Sequence, residues 1–494
     1  MITEQELIAL QLKHDTDATS GAIIKDLFYQ QDTTLMEKGV KYYNNDNDIK
    51  QRRIYYYEKD GTKSEDKEAV NNRISHNYHK LLVDQKVSYL LGNPPNISAE
   101  PERLNNLLND YLNEEWEDNL QELGKNSSNK GVDYLHPFID ESGKFDYVII
   151  PAEQVIVIYD TEYQKNITNL IRIYPFFVNN RESYRAEWWT KNEVEYFVMN
   201  QGGHFERQDT EEVAGGENPA PHYWLNGERY GWGYVPFIPF PNNKERIPDI
   251  KFYYEHIDMI DLLTSDTGND MTDVQKLIYV LRGYEGDSLK EFKENLRYYR
   301  VIKIDDPAEN AGVDTLSVDI DIDAVERYLK RLEDNIFTFG QGVDTNMEKF
   351  GNVPSGVALK HLYHLLDLKS DIMARKFSFA IKKFCWFLIQ YFRIAGIYNA
   401  PEGAEKSVKI TYNKSKPINQ KEHVEIAEKS QGMVSSKTIR SNHPWVSDEQ
   451  KEKEQMEEEM EEYGDQLANE ETEALREEIE RLKDRLEDKE QDEE

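Results

Sequence analysis

Hydrophobic and polar positions recur with different periods along this chain, and each change of period marks a module. Residues 1–60 are polar and rich in Tyr, Asn and Asp, with helical spacing over Glu4–Lys13 and again over Ile23–Tyr29. From Glu65 to Leu91 the residues Ile74, Tyr78, Leu81, Leu82, Val87, Leu90 and Leu91 predict the apolar face of one helix. Gly92 followed by Pro94-Pro95 is a stop signal, a left-handed glycine cap and then rings that cannot continue the helix. A second helix is expected over Glu102–Glu114, where Leu104, Leu107, Leu108, Tyr111 and Leu112 keep helical spacing, and another through Leu123.

The period then shortens to two. Val132–Ile139, Phe145–Ile150 and Val155–Tyr159 read as strands, the first two joined by a turn at Glu141–Lys144. Leu170–Val178, Tyr184–Trp189, Glu193–Met199 and His204–Arg207 are expected to extend the same sheet. Phe237–Pro241 carries too many prolines for a central strand. This α+β module ends near residue 245.

Long helical patterns follow. Pro248 to Leu281 reads as one helix with a thin apolar side, and Thr264–Asp270 inside it is poor helix material that no monomer core would need. An insertion at Gly283–Ile322 carries a short helix (Leu289–Leu296) and strands at Val301–Ile304 and Thr315–Val318. A returning helix, Asp323–Phe339, has Val325, Leu329, Leu332 and Ile336 on one face, so two helices run out to a small tip and back. Their apolar surface is thin, and such an arm is expected to pack against copies of itself. Gly340, Gly342, Gly351, Pro354 and Gly356 bracket Val343–Phe350, by composition a mobile loop. Ser355 is placed to cap a helix running to Ala395, about 60 Å long at 1.5 Å per residue. Leu359, Leu362, Leu366 and Met373 form a stripe in its first half, and beyond Phe377 it is apolar on nearly all sides, hence buried. A strand at Val408–Tyr412 and helices at Gln420–Gln431 and Ser436–Asn442 lead to an acidic helical end.

Composition adds constraints. The chain has 494 residues, enough for two to four modules, and aromatics at 12% argue for packed cores. The one cysteine, Cys385, permits no disulfide within the chain and reads as a small buried hydrophobe. No basic-then-apolar leader opens the sequence, and Lys382, Lys383 and Arg393 interrupt the most apolar stretch, so neither a secretory signal nor a membrane span is expected. The net charge of −34 opposes gripping DNA by counterion release; it fits simple solubility first, and also an acidic wall that DNA slides past. From Asp448 to Glu494 there are 23 acidic against 7 basic residues, −16 in all. Met456, Met460, Tyr463 and Leu467 are spaced 4, 3, 4 there, as are Leu475, Ile479, Leu482 and Leu486, which fits a short coiled coil or a solvated helix.

No phosphate-binding glycine loop, dinucleotide fingerprint, zinc-protease motif or nucleophile elbow occurs, so no catalytic residue, cofactor or metal is expected. The i,i+3 pairs His76/His79 and His361/His364 and the acidic clusters Asp305-Asp306 and Asp319/Asp321/Asp323 are the weak candidates for metal binding. A divergent metal-dependent nucleic-acid enzyme would need those clusters to converge. An acidic helical adaptor would act chiefly through its tail.

Four stretches in order carry a resemblance: Asn72–Pro94 with the run Val83-Asp84-Gln85-Lys86-Val87-Ser88-Tyr89-Leu90-Leu91-Gly92-Asn93-Pro94, then Val235–Asn243, Leu281–Tyr284, and Phe350–Lys360. Together they resemble the SPP1-type portal proteins of tailed bacteriophages over about residues 65–450. The resemblance implies an α+β portal fold: wing 1–245, stem helix 246–282, clip 283–321, second stem helix 322–340, tunnel loop 341–356, long tunnel/wing helix 357–398, crown 399–462 and acidic tail 463–494. It implies a homo-oligomeric ring, generally twelvefold, at one capsid vertex of the virion, assembled in the host cytoplasm. Such a ring nucleates the procapsid with scaffolding and major capsid proteins. It docks the terminase large subunit at the clip, passes double-stranded DNA during packaging and ejection, and joins head to tail through a head-completion protein. Twelve helices about 10 Å apart give a ring of roughly 38 Å diameter and a channel of roughly 27 Å, wide enough for a duplex. The resemblance assigns Asp344, Thr345, Asn346, Met347, Glu348, Lys349 and Phe350 to the DNA-facing loop. Lys330, Arg331 and Lys360, with Lys349, are the candidates for weak phosphate contact.

Overall fold

The computed structural model describes residues 2–13, 19–272, 278–282, 312–316, 322–344, 356–415 and 420–460, with residues 479 and 481, apart from positions 59, 68, 164, 165, 179, 214, 215, 226, 442, 444, 447, 448 and 450. Contacts divide the chain into Met1–Thr345 with Leu362–Ser415, and Asn346–His361 with Lys416–Glu494.

The first unit opens with β1 (Ile2–Thr3), α1 (Glu4–Lys13), α2 (Thr19–Gln30) and α3 (Thr34–Tyr43). A hairpin of β2 (Tyr55–Tyr57) and β3 (Lys63–Glu65) follows, then α4 (Tyr78–Leu91), β4 (Asn96–Ser98), α5 (Glu102–Asn109) and α6 (Glu114–Lys130). Asn113 caps α6 by accepting the Trp116 N–H at 3.1 Å, and three glutamates in its first turn suit the positive end of the helix dipole.

Strands β5 (Val132–Ile139), β6 (Phe145–Ile150), β7 (Val155–Tyr159), β8 (Ile167–Val178), β9 (Arg181–Trp189), β10 (Glu193–Met199), β11 (Phe205–Arg207), β12 (Ala220–Pro221), β13 (Tyr223–Leu225), β14 (Glu228–Tyr230) and β15 (Ile238–Pro241) come next. They do not form the single sheet expected. β5 and β6 pair with β15 in a three-stranded sheet, whereas β7 to β11 run antiparallel in order, with β1 parallel to β7 at one edge and β12 on β10. The proline-rich β15 is an edge strand, where a missing N–H costs nothing.

α7 (Tyr254–Thr272) is shorter than the helix expected to Leu281. Beyond it β16 (Ile278–Arg282) pairs antiparallel with β17 (Gly312–Leu316). The expected insertion helix Leu289–Leu296 and strand Val301–Ile304 lie outside the described residues. α8 (Ile322–Gly340) returns along α7, and α9 (Gly356–Ile394) is the long helix. β18 (Lys409–Thr411) pairs with β4.

In the second unit, α10 (Gln420–Lys429) and α11 (Ser436–Ser441) precede a helical stretch at 451–460, and Arg440 pairs with Glu449 at 2.9 Å. Most of the acidic end lies outside the described residues.

Two further expectations fail for identifiable reasons. The helix from Glu65 begins only at Tyr78, because residues 72–76 are extended against α7 and take their hydrogen bonds from it. The N–H groups of Asn72, Ile74 and His76 donate to Asn269 Oδ1 (2.6 Å), Ser265 Oγ (3.0 Å) and Asp261 Oδ1 (2.8 Å). Alternate residues of an extended chain are about 6.6 Å apart. Four helical residues rise about 6.0 Å, so the two repeats match. The polar stretch inside α7 thus serves this chain itself. Ile74 and Leu81, read as core, are 40% exposed. Gly92 keeps a right-handed φ of −63°, so the stop after α4 falls to the two prolines.

Candidate functional site at the junction around Val343

Of the loop Asp344–Phe350, only Asp344 falls among the described residues, half-buried; Thr345, Asn346, Met347, Glu348, Lys349 and Phe350 lie outside them. Lys330 and Arg331 are exposed on α8, and Lys360 lies in α9 with its side chain outside the described residues. What the structure defines is the junction around Val343, just before this segment.

α8 ends in a hydrogen-bonded cap. Gly342 N–H donates to Phe337 O (3.0 Å) and Gln341 N–H to Thr338 O (3.3 Å), with Gln341 itself at φ 54°. The neighbouring glycines are there for space. A Cβ on Gly340 would lie 2.6 Å from Leu82 Cδ1, and one on Gly342 would lie 2.1 Å from Leu82 Cδ2. They were read as markers of mobility; in the fold they let α4 approach the end of α8.

Gln85 of α4 then takes both main-chain groups of Val343. Its Nε2 donates to Val343 O at 2.7 Å, and its Oε1 accepts from Val343 N–H at 3.0 Å. The Val343 side chain is buried with Tyr89 and Leu366. Tyr89 continues the junction, donating to Asp367 Oδ1 at 2.5 Å and stacking on Tyr363 at 5.8 Å. Lys414 reaches Asp367 (3.0 Å) and Asp371 (2.7 Å), and Ser415 N–H donates to Tyr89 O.

Beneath this lies a buried ionic knot. Lys86 Nζ is 2.5 Å from Asp249 Oδ2 and donates to Asn242 Oδ1 at 2.7 Å. Lys369 Nζ is 3.0 Å from the same Asp249 oxygen and donates to Gly340 O at 2.8 Å. Asn242 closes the ring by donating to Asp249 Oδ1 at 2.8 Å. One carboxylate thereby ties α4, the end of β15, the approach to α7, the end of α8 and α9. Burial pulls Lys86 down to about 8 against the opposing pull of Asp249. Burial also works against the Asp249 carboxylate, but Lys369 and Lys86 outweigh it and hold the group well below the usual range. Beside the knot, His79 is buried between Tyr253 OH (2.7 Å) and Asn129 Oδ1 (3.0 Å), and burial lowers it to about 4.

This arrangement fixes positions. Among the described residues no three His, Cys, Asp or Glu converge on a metal-sized site. His76 bonds Asp261 while His79 faces Tyr253, so that pair shares no ligand position. Asp305, Asp306, Asp319 and Asp321 lie outside the described residues, and Asp323 is exposed. No described helix is long and apolar enough to cross a membrane. The sequence reading missed Gln85, Lys86, Asn242, Asp249 and Lys369. A signal existed: Gln85 and Lys86 fall in the first resembling stretch and Asn242 in the second.

Comparison with known proteins follows the same lines. The family described as "Phage portal protein, SPP1 Gp6-like" matches residues 27–466. A portal protein of Bacillus phage SPP1 is 37% identical over 450 residues, covering 90% of this chain and 88% of the relative. A portal protein of Clostridium phage phiCD119 is 29% identical over 433 residues, covering 83% and 90%. A solved structure titled "Neck of empty GTA particle computed with C6 symmetry" overlays with a TM-score of 0.40 at 11% identity, covering 74% of this chain and 90% of that one, too loosely to bear on the architecture.

Proposed function

This chain belongs to the SPP1-type family of phage portal proteins, and on that premise we propose that it is a subunit of a ring, twelvefold in the virion, that conducts double-stranded DNA through one capsid vertex. The role is structural and needs no cofactor. The ring nucleates the procapsid with scaffolding and major capsid proteins, receives the terminase large subunit at the tip around 283–321, and joins the tail through a head-completion protein. The α+β part up to residue 245 is the wing, 246–282 and 322–340 the stem, 341–356 the tunnel loop, 357–398 the tunnel and wing helix, 399–462 the crown and 463–494 the tail.

Asp344–Phe350 is the segment that meets DNA, with Lys330, Arg331, Lys349 and Lys360 as weak phosphate contacts. The observation that supports this most is the Gln85 clamp on Val343: both main-chain groups of the residue before the loop are held by one side chain. A loop that must act on passing DNA needs such a fixed origin. Deleting Asp344–Phe350 should leave rings intact by native mass and abolish DNA packaging. Normal packaging by that variant would exclude the loop assignment, and a monodisperse monomer of the intact chain at high concentration would count against the ring.

A further inference from the structure

The first half of α9 has two faces. Leu366, Met373, Ala374 and Phe377 are buried, while Leu365, Leu368, Ile372 and Phe379 are 38%, 46%, 51% and 75% exposed. Positions 365, 368, 372 and 379 lie along one side of a helix. They make an apolar stripe about 21 Å long. At its far end Phe379 joins a groove of about 490 Å³ against the β15 edge, lined also by Tyr234, Arg246, Lys376 and Lys383.

The charge there is unusual for so acidic a chain. None of Arg246, Lys376 and Lys383 forms an ion pair with a described carboxylate. Lys383 is instead boxed by rings, 3.3 Å over Tyr234 and 4.3 Å over Trp386. Arg246 lies 5.1 Å over the Tyr159 ring. Glu405 acts on Lys383 from beyond ion-pair distance, and an apolar stripe beside three cations that make no described ion pair calls for an occupant with an apolar centre and a surplus of carboxylates.

We propose that this face of α9 and its groove receive a second copy of this chain, as the next subunit of the ring. The inference rests on the ring reading above. Each copy carries 94 acidic against 60 basic residues, so an incoming copy brings a surplus of carboxylates to these cations. At a helix width of about 10 Å the stripe presents on the order of 200 Å², enough for the apolar centre of an interface of about 800 Å² per partner. Because the face is not self-complementary in charge, the contact is heterologous, the kind that gives a ring when its rotation closes.

The test uses full-length chains. A single cysteine placed by Ile372→Cys or Phe379→Cys is alkylated by a maleimide in the assembled ring, with Tyr163→Cys, at an 89% exposed position, as the reference. The native Cys385 is fully buried and should stay silent. The expected result is alkylation at 372 and 379 at least tenfold slower than at 163. In a second arm, the Leu368→Asp/Ile372→Asp/Phe379→Asp variant should keep its circular dichroism and melting temperature but lose at least nine-tenths of its ring by native mass. Rings in which positions 372 and 379 react as fast as 163 overturn the proposal. So does protection that appears only when capsid proteins are added, which assigns the face to them. A wild-type chain that never forms rings removes the reading underneath instead, which separates the two failures.

Discussion

Around the second half of α9 the interior is aromatic: Phe384 stacks on Trp116 at 4.3 Å, Phe145 and Tyr147 pack edge-on to Phe384, and Phe377 packs edge-on to Phe240. Where the first half of α9 passes α4, the interior is built from Lys86, Asp249, Lys369, Asn242 and Gln85. Both regions are buried, but burial does different work in each. Apolar packing is non-directional and stabilises in proportion to area, so the core around Phe384 can adjust its rings and remain a core. Charge-assisted hydrogen bonds hold only in a narrow range of distance and angle, so the junction fixes five segments relative to one another. The directional chemistry stands around Val343, and the adjustable packing stands away from it.

Substitutions at the two sites should separate these roles. Asp249→Asn leaves Lys86 and Lys369 buried without their counter-charge and should cost about 3–5 kcal/mol in a denaturant melt. Phe384→Ala should cost a similar 3–5 kcal/mol through the cavity it leaves. Only the first should speed hydrogen exchange at the Val343 amide. Equal acceleration by both would erase the distinction.

Acid should act through buried histidines, one in the junction and one in β5. His79 in the junction and His136 in β5 are each lowered by burial to about 4. Between about pH 4 and 6.5 the unfolded chain binds these protons and the folded chain does not, so stability falls as the pH drops through that window. The loss is roughly 3 kcal/mol per histidine. The depressed Asp249 carboxylate adds a further loss below the ordinary carboxylate range. Urea melts at pH 7 and pH 4.5 measure the slope, and His79→Gln should flatten the junction's share.

A smaller effect is expected from Gly342→Ala, whose new methyl meets Leu82 and should cost about 1–3 kcal/mol. Adding Leu82→Ala should recover part of that loss, because the clash is with one side chain. Smallest is Gln85→Leu, about 1–2 kcal/mol for two lost hydrogen bonds. Its signature is local: faster exchange at Val343 with the amides of β7 to β10 unchanged.

The strands at 132–139, 145–150, 155–159 and 193–199 and the helices at 4–13 and 322–340 were legible from hydrophobic period alone, within a residue at each end. There the burial pattern and the backbone hydrogen bonds arise within the segment or its neighbours, so the pattern carries the information. The family, too, could be read from short stretches in order. Tertiary structure decided the rest. Residues 72–76 are extended because their N–H partners stand about 190 positions later on α7. Lys86 is buried because Asp249 and Asn242 meet it from more than 150 positions away. Gly340 and Gly342 look like loop punctuation until Leu82 is seen against them. A polar residue in a sequence states what bonds it can make; which partner it meets, and so whether it is solvated surface or a buried tie between segments, depends on contacts that only the folded chain creates.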